Sequence, residues 1–509
     1  MPDSKSKRIA KNTLMLYVRM FFTMLVGLYT SRIVLKVLGV EDYGVYNVVG
    51  GVVGMLGFLN STMSGATSRF LTYELGCGDA EKLSKTFNSA LIVHIGIAVI
   101  VFLIAETFGL WFVCNKIVIP EGRETAAMWV YQFSVLSAMI GITQVPYNAS
   151  IIAHERLDVY AYVEIFHTLT KLLIVYLLLV FEYDKLIVYG ILIFLSYAIV
   201  AVFYRLYGIR HFQECRFQLE VSKQIIKSIL SFSGYNLFAH FGSIFYRQGT
   251  TIIINNFFGV VFNASYGIAT TVANMITSFS NNVITAFRPP ITKSYAVGHS
   301  DEVKKLTLLA LDIAVFLMLL IAVPAMIEMD TLYRLWLIEV PEGVVLFTKL
   351  IIVSILFEAV RHIMTIGIHA TGKVRYVSMA NGLLMTLTPV VIYYAFLLYR
   401  NVYLAFVCEI ITQMALCLIV IFLAKRYIPY LPVSKILFSL GSFCVVAIFS
   451  YYLVFQLSRL LDSGIVRILL TVIESSFILS LMTFFIVLNA SQRKQALLFI
   501  RNKWLNRIK

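Results

Sequence analysis

Two stretches of this chain repeat polar side chains at a spacing that places them on one side of a helix. In the first, Tyr160, Glu164, His167 and Lys171 recur at i, i+4, i+7 and i+11; in the second, Asn236, His240, Ser243 and Arg247 repeat that interval. At about 100° per residue each set forms one narrow stripe. Both stripes lie in apolar surroundings, where a polar group costs energy unless it faces a partner or a wet cavity. Seven basic residues share that setting: Arg19, Arg32, Arg69, Lys171, Arg247, Lys349 and Arg361. Arg32 and Arg247 occupy nearly equivalent places in two related segments. One cation from each side of a cavity suits an anion such as a phosphate, because guanidinium binds phosphate bidentately. Structural readings stand beside these. Arg69 and Lys349 lie near the ends of apolar runs and can extend to the interface. Arg361 follows Glu358 by about one turn and can pair within its own helix, and either stripe can serve helix packing.

Further polar residues punctuate the apolar runs. The returning helix of one copy has Asn60, Ser61, Thr62 and Ser64, and that of the other has Asn274, Ser278, Asn281 and Asn282. Hydroxyls and amides of this kind suit sugars, but small polar residues more commonly hold membrane helices together. Glu409 and Glu474 in late runs are candidates for titration coupled to transport, by H+ or Na+, or for pairing with a neighbour. The sequence has no GxxxxGK[ST] phosphate loop, no HExxH and no GxSxG, which speaks against P-loop ATP hydrolysis and against catalysis. The six cysteines (Cys77, Cys114, Cys215, Cys408, Cys417, Cys444) are scattered, with no metal-ligand spacing and no disulfide framework. No metal or cofactor is expected.

The elements that position these residues follow from composition. Of 509 residues, 60% are hydrophobic and 14% charged, and the mean hydropathy is +0.84. A soluble chain carries roughly 25% charged residues, so this one cannot cover itself with a polar surface and its solvent is lipid. Apolar runs of about 18 to 28 residues fall at 12–36, 44–70, 87–113, 125–151, 157–181, 186–207, 227–255, 261–287, 306–328, 344–368, 375–399, 402–424, 436–457 and 465–489. They predict an all-α polytopic membrane protein of about fourteen spans. The net charge of +15 resides mainly in loops and termini, which points to lipid headgroups rather than nucleic acid. With the N-terminus inside, the inner segments carry 27 basic residues and the outer ones 8, so both termini are expected on the cytoplasmic side. The first run follows Lys5, Lys7, Arg8 and Lys11 without a small-residue cleavage site and reads as a retained helix.

A plan of some eighty residues occurs twice. The first copy begins at Ser6-Lys7-Arg8, turns at Leu38-Gly39-Val40, passes Tyr43-Gly44 and Phe58-Leu59-Asn60, and leaves at Gly78-Asp79. The second begins at Ser222-Lys223, turns at Phe258-Gly259-Val260, passes Tyr266-Gly267 and Phe279-Ser280-Asn281, and leaves at Gly298-His299. The offset is about 220 residues, and such duplication is a signature of transporters whose site lies between the repeats. Six spans per unit is an even number, so the repeats are expected to be parallel. The resulting division is an N-lobe over 1–207, a cytoplasmic linker over 208–226, a C-lobe over 227–424, and two added spans with a basic tail over 425–509.

The opening basic segment, the turn Leu38-Gly39-Val40-Glu41-Asp42-Tyr43-Gly44-Val45-Tyr46, the loop Gly78-Asp79-Ala80-Glu81-Lys82 and the stretch Pro146-Tyr147-Asn148-Ala149 resemble the polysaccharide-biosynthesis flippases of the multidrug/oligosaccharidyl-lipid/polysaccharide exporter superfamily. The resemblance covers essentially the whole chain. It implies two six-helix lobes forming a V around a central cavity, two extra C-terminal helices, and alternating access. The implied substrate is an undecaprenyl-pyrophosphate-linked sugar unit, moved across the bacterial inner membrane for lipopolysaccharide or capsule synthesis. The implied partners are membrane lipids and a polysaccharide polymerase with its chain-length proteins, around a monomeric carrier driven by an ion gradient or the membrane potential. By helix position, Arg32, Arg247, Lys171, Arg19 and Arg361 are the candidates for the cationic cavity such flippases possess, with Glu164, His167, Asn236, His240, Ser243, Asn60 and Asn281 lining it. The drug-exporting branch typically uses an acidic residue in its first helix, and this chain has none between Asn12 and Lys36. A small-molecule antiporter of the same fold is the alternative. A membrane glycan polymerase or ligase is a weaker one, since loops of about 3 to 15 residues leave no room for a catalytic domain.

Overall fold

The computed structural model describes residues 2–55, 57–117, 119–180, 182–218, 220–337, 340–462, 464–487 and 493. Within the helices, the side chains of residues 2–9, 28, 31–32, 35, 40, 47–48, 54–62, 116 and 260 lie outside the description. Two candidate site residues, Arg32 and Asn60, fall among them. All regular structure among the described residues is helical: α1 (Pro2–Met55), α2 (Gly57–Cys77), α3 (Ala80–Ile104), a π turn (Ala105–Gly109), α4 (Leu110–Lys116), α5 (Glu124–Ala153), α6 (Leu157–Leu177), α7 (Lys185–His211), α8 (Lys223–Ala296), α9 (Ser300–Trp336), α10 (Val344–Thr371), α11 (Arg375–Tyr399), α12 (Leu404–Tyr427), α13 (Val433–Ser458) and α14 (Ile465–Met482). A helix satisfies its backbone internally, which hydrocarbon demands.

These helices account for the fourteen apolar runs of a multi-pass membrane protein. α1 and α2 hold two spans, α8 holds two more, and α3, the π turn and α4 together form one. Among the described residues nine segments are long, apolar and uncharged enough to cross a membrane. The spans outside that set belong to α1, α2, α8 and α10.

The repeat is visible in the backbone. Gly39 breaks α1 at φ 81°, ψ 169°, and Gly259 breaks α8 at φ 82°, ψ −174°. That region is open essentially to glycine alone. No neighbouring atom lies within 4 Å of where a Cβ would sit at either site, so conformation and not crowding demands the glycine. Gly78 and Gly298, which end the two copies, share φ values of 75° and 78°.

Loop chemistry pins the helix ends. Asp79 caps α3 by accepting from the Lys82 N–H at 3.0 Å, and Asp184 caps α7 by accepting from the N–H groups of Leu186 and Ile187 at 3.0 and 3.2 Å. Arg123, just before α5, donates to both Asp42 (2.7 and 2.5 Å) and Asp184 (2.6 and 3.2 Å), and so joins the kinked part of α1 and the start of α7 to the start of α5. The segment between α7 and α8 is docked. The Gln218 and Ser222 N–H groups donate to Asn88 and Ser89 of α3, and the His154 ring stacks on Phe212 at 4.0 Å while meeting Glu214 at 2.8 Å.

The chain forms two compact units, and the division runs through α8. The first comprises residues 1–240, 285–303 and 369–378; the second comprises 241–284, 304–368 and 379–509. In the first, Phe87, Tyr147, Ile151 and Tyr204 build one core cluster and Val49, Val130, Tyr131 and Val135 another. In the second, Tyr246, Phe347, Phe396 and Phe406 anchor a larger one. Apolar burial drives little association inside lipid, so close packing and polar contacts must hold such units together. At Gly242 of α8, for example, an added Cβ would come within 2.5 Å of the Gly382 carbonyl oxygen of α11.

Candidate functional site

In the first unit the predicted stripe of α6 forms a polar cluster with α1 and α7. The Arg19 guanidinium of α1 lies 4.9 Å above the Tyr160 ring, and Lys171 Nζ lies 5.1 Å above the Tyr197 ring of α7. Glu164, half-buried between Tyr160 and Lys171 in the stripe, is the charge partner of both Arg19 and Lys171. His167 is buried against the edge of Tyr197, at 4.8 Å between ring centres, and its Nε2 has no hydrogen-bond partner among the described residues. Three elements thus bring four of the expected residues together, with the charges of Arg19 and Lys171 both acting on Glu164.

The second unit holds a larger cluster on α8, α10, α11 and α12. Arg247 is exposed although it stands within an apolar span of α8, and its charge neighbours are Glu358, Glu409 and Tyr266. Glu358 of α10 receives Arg361 Nη2 at 3.3 Å and faces His362 Nε2 at 3.2 Å. Arg361 is only 5% exposed; its Nη1 donates to Asn381 Oδ1 at 2.9 Å, and its Nε has no partner among the described residues. Glu409 of α12 accepts from Ser354 Oγ at 2.9 Å and has the Tyr246 hydroxyl as a neighbour. Gln413, one turn farther along α12, is buried with an Oε1 that has no partner among the described residues. Two carboxylates, two arginines, an imidazole and several hydroxyls therefore share one patch, suited to holding charge that changes during a cycle.

The remaining candidates are distributed elsewhere. Asn236 accepts from Ser378 Oγ at 3.0 Å, a helix contact within the first unit. His240 is exposed and Ser243 half-buried, so the α8 stripe continues along the chain from one unit into the next. Asn281 is exposed on α8, and Glu474 is half-buried on α14 with no hydrogen bond or ion pair to either cluster among the described residues. Sequence reasoning passed over Ser354, His362 and Asn381, and over Tyr197, Tyr246 and Tyr266. The same spacing rule was available for some of them: Ser354, Glu358 and His362 are four apart on α10, as Glu409 and Gln413 are on α12. Among the described residues no group of three His, Cys, Asp or Glu side chains could hold a metal ion.

No protein-family model and no curated protein matches the sequence. The fold does match solved structures. A MATE in the straight conformation superposes with a TM-score of 0.70 at 14% identity, over 84% of this chain and 96% of that one. An outward-facing multidrug resistance MATE family transporter of the MOP superfamily gives 0.70 at 13% identity, over 84% and 96%. A MOP superfamily transporter from Pyrococcus furiosus, whose structure is described by a binding pocket of reversed polarity, gives 0.66 at 13% identity, over 83% and 96%. The chain therefore has the fold of the MATE transporters.

Proposed function

We propose that this protein is an alternating-access carrier that exports an anionic, lipid-attached glycan unit of the polyprenyl-pyrophosphate kind. Its setting would be the bacterial inner membrane with both termini inside, where it would act as a monomer and hand its cargo to a polysaccharide polymerase and chain-length proteins. The observation that carries this reading is Arg247, an exposed arginine within a span whose unit also holds the buried Arg361. A guanidinium at that depth is costly unless it meets an anion or water. The first span has no acid between residues 12 and 36, which removes the obvious anchor for a cationic drug. The transporter fold of the neighbours supports carriage rather than catalysis.

The test is flipping of a fluorescent polyprenyl-pyrophosphate oligosaccharide in proteoliposomes. Wild type should move it, Arg247→Ala should slow it at least about tenfold, the size of one lost charge-assisted hydrogen bond, and Arg247→Lys should recover part of the rate. Equal rates for wild type and empty vesicles sink the proposal.

A cation-coupled small-molecule antiporter is the second reading, favoured by the carboxylates Glu358 and Glu409 beside Arg247 and by the multidrug transporter among the structural neighbours. Drug efflux that Glu409→Gln abolishes, with no glycan flipping, selects it.

A further inference from the structure

Four helices, α2, α5, α8 and α10, bring their C-terminal ends together inside the first unit, and two polar contacts tie those ends across the repeats. In the first, Arg69 of α2 donates Nε to the His369 carbonyl at 3.1 Å and Nη2 to the Ala370 carbonyl at 3.0 Å. These are last-turn carbonyls of α10, at the negative end of the helix dipole, and that of His369 also accepts from the Gly372 N–H at 3.0 Å. Gly372, at φ 78°, leaves room for the approach, since a Cβ there would lie 2.8 Å from Arg69 Nη2. In the second, Lys293 near the end of α8 meets Glu155 Oε1 at 3.2 Å, just past the end of α5.

The two contacts sit at corresponding helix ends of the two repeats but use different positions, since Arg69 aligns with Arg288 and Lys293 aligns with Glu74. Residues 69–77 and 288–296 close the two sequence copies, and α5 and α10 are the fourth spans of their repeats. Each fourth span ends in a left-handed residue, Glu155 at φ 60° and Gly372 at φ 78°. Where that residue is glycine, the base reaches the bare backbone. Where it is glutamate, the base takes the carboxylate. A non-glycine residue is strained in that conformation, and Glu155 is 4% exposed, so the strain is held in place by its surroundings. Those surroundings are Lys293 and Asn12 of α1, whose Nδ2 donates to the Glu155 carbonyl at 3.1 Å. Gly76 allows α2 and α8 to close on each other, since a Cβ there would stand 2.9 Å from Lys293 Cα, and Cys77 Sγ lies 3.9 Å from the Ala296 carbonyl oxygen.

We propose that Arg69 on the α10 terminus and Lys293 on Glu155 are the two arms of a latch that holds this face of the protein shut and must release before the carrier opens there. The idea rests on the alternating-access reading. Polar arms suit reversible closure because each gives a short, directional contact that water can replace on opening, whereas an apolar seam would expose a large surface.

Ala296→Cys places a thiol against native Cys77 and reads the closed state without any substrate. In vesicles of phosphatidylethanolamine and phosphatidylglycerol, the full-length Ala296→Cys protein should form the disulfide quickly under mild oxidation, and a Cys77→Ser control should form none. Arg69→Ala and Lys293→Ala should each slow cross-linking by about tenfold, the worth of one charge-assisted hydrogen bond. Glu155→Gly separates latch from scaffold, because glycine accepts φ 60° without strain yet removes the carboxylate. It should fold at least as well as wild type and still cross-link more slowly. Unchanged cross-linking in Glu155→Gly and in both base variants overturns the latch, as does a locked protein that carries substrate as fast as the reduced one. If no substrate moves in any state while Glu155→Gly still slows the disulfide, the carrier reading fails and the latch stands.

Discussion

Glu328 of α9, its side chain 2% exposed, receives the guanidinium of Arg467 from α14 through Nε at 3.0 and 3.1 Å and Nη2 at 2.8 Å. Thr471 donates to the same carboxylate at 3.0 Å, and Thr331 donates to it at 3.1 Å while accepting from Arg467 at 2.8 Å. α14 is thereby bolted to α9 by a pair whose carboxylate is buried and whose guanidinium is partly exposed. Removing one partner of such a pair costs about 3–5 kcal/mol, because the other charge is stranded, whereas apolar replacement of both is far milder. Arg467→Ala should therefore lower the unfolding midpoint in detergent sharply. Glu328→Leu combined with Arg467→Leu should recover most of the loss, and equal losses for the single and double variants contradict the assignment.

The Arg123 triad should make stability depend on acid. Burial pushes the Asp184 carboxyl up, but hydrogen bonds from Arg123 and from the N–H groups of Ile187 and Leu186 outweigh it and hold the group below the ordinary carboxylate value. A lowered folded-state value means that the contribution is complete above the unfolded value of about 3.9 and is lost as pH falls through the folded one. Asp184→Asn should be less stable than wild type at neutral pH, and the gap should close as the pH is taken well below about 4. A gap that persists unchanged in acid refutes the linkage.

The two kinks depend on backbone alone. Gly39→Ala and Gly259→Ala should each cost on the order of 1–3 kcal/mol. Asparagine, which tolerates the ordinary left-handed region, should not rescue either site, because ψ near 180° lies outside that region. Thermal melting of the four variants decides the point, and an asparagine variant as stable as wild type would show that the helix break does not require glycine.

At the α8–α11 crossing, Gly242→Ala should force the helices apart, since the new Cβ meets backbone at 2.5 and 2.8 Å and not a side chain that could turn away. Overpacking of this kind costs typically about 1–3 kcal/mol. Gly234→Ala on the same helix has open space, with nothing within 4 Å, and should be close to neutral in the same melting assay.

Much of the architecture was legible because lipid leaves few choices. Runs of apolar residues must be helices, and the repeated Gly39-Val40 and Gly259-Val260 turns mark where the duplicated helices break. The α6 stripe was legible from its spacing, since residues at i, i+4, i+7 and i+11 share a face in any helix. Its partners were not, because Arg19 and Tyr197 come from other helices and no period in α6 points to them. Arg69 shows the same limit. Its place near a helix end suggests a side chain extending to the interface, but it bonds the carbonyls of residues 369 and 370, about three hundred positions away.

The amino-acid order by itself determined the solvent, the number of spans, the duplication and the two polar stripes, since each depends on local composition or on a helix's fixed period. Tertiary structure decided which charge meets which. Only packing placed Glu164 between two cations, Glu358 beside Arg361 and His362, Lys293 on Glu155 and Arg467 on Glu328. Ion pairs in a membrane protein form across helices whose neighbours are set by shape complementarity over the whole chain, and that information is spread too widely for any one segment to carry it.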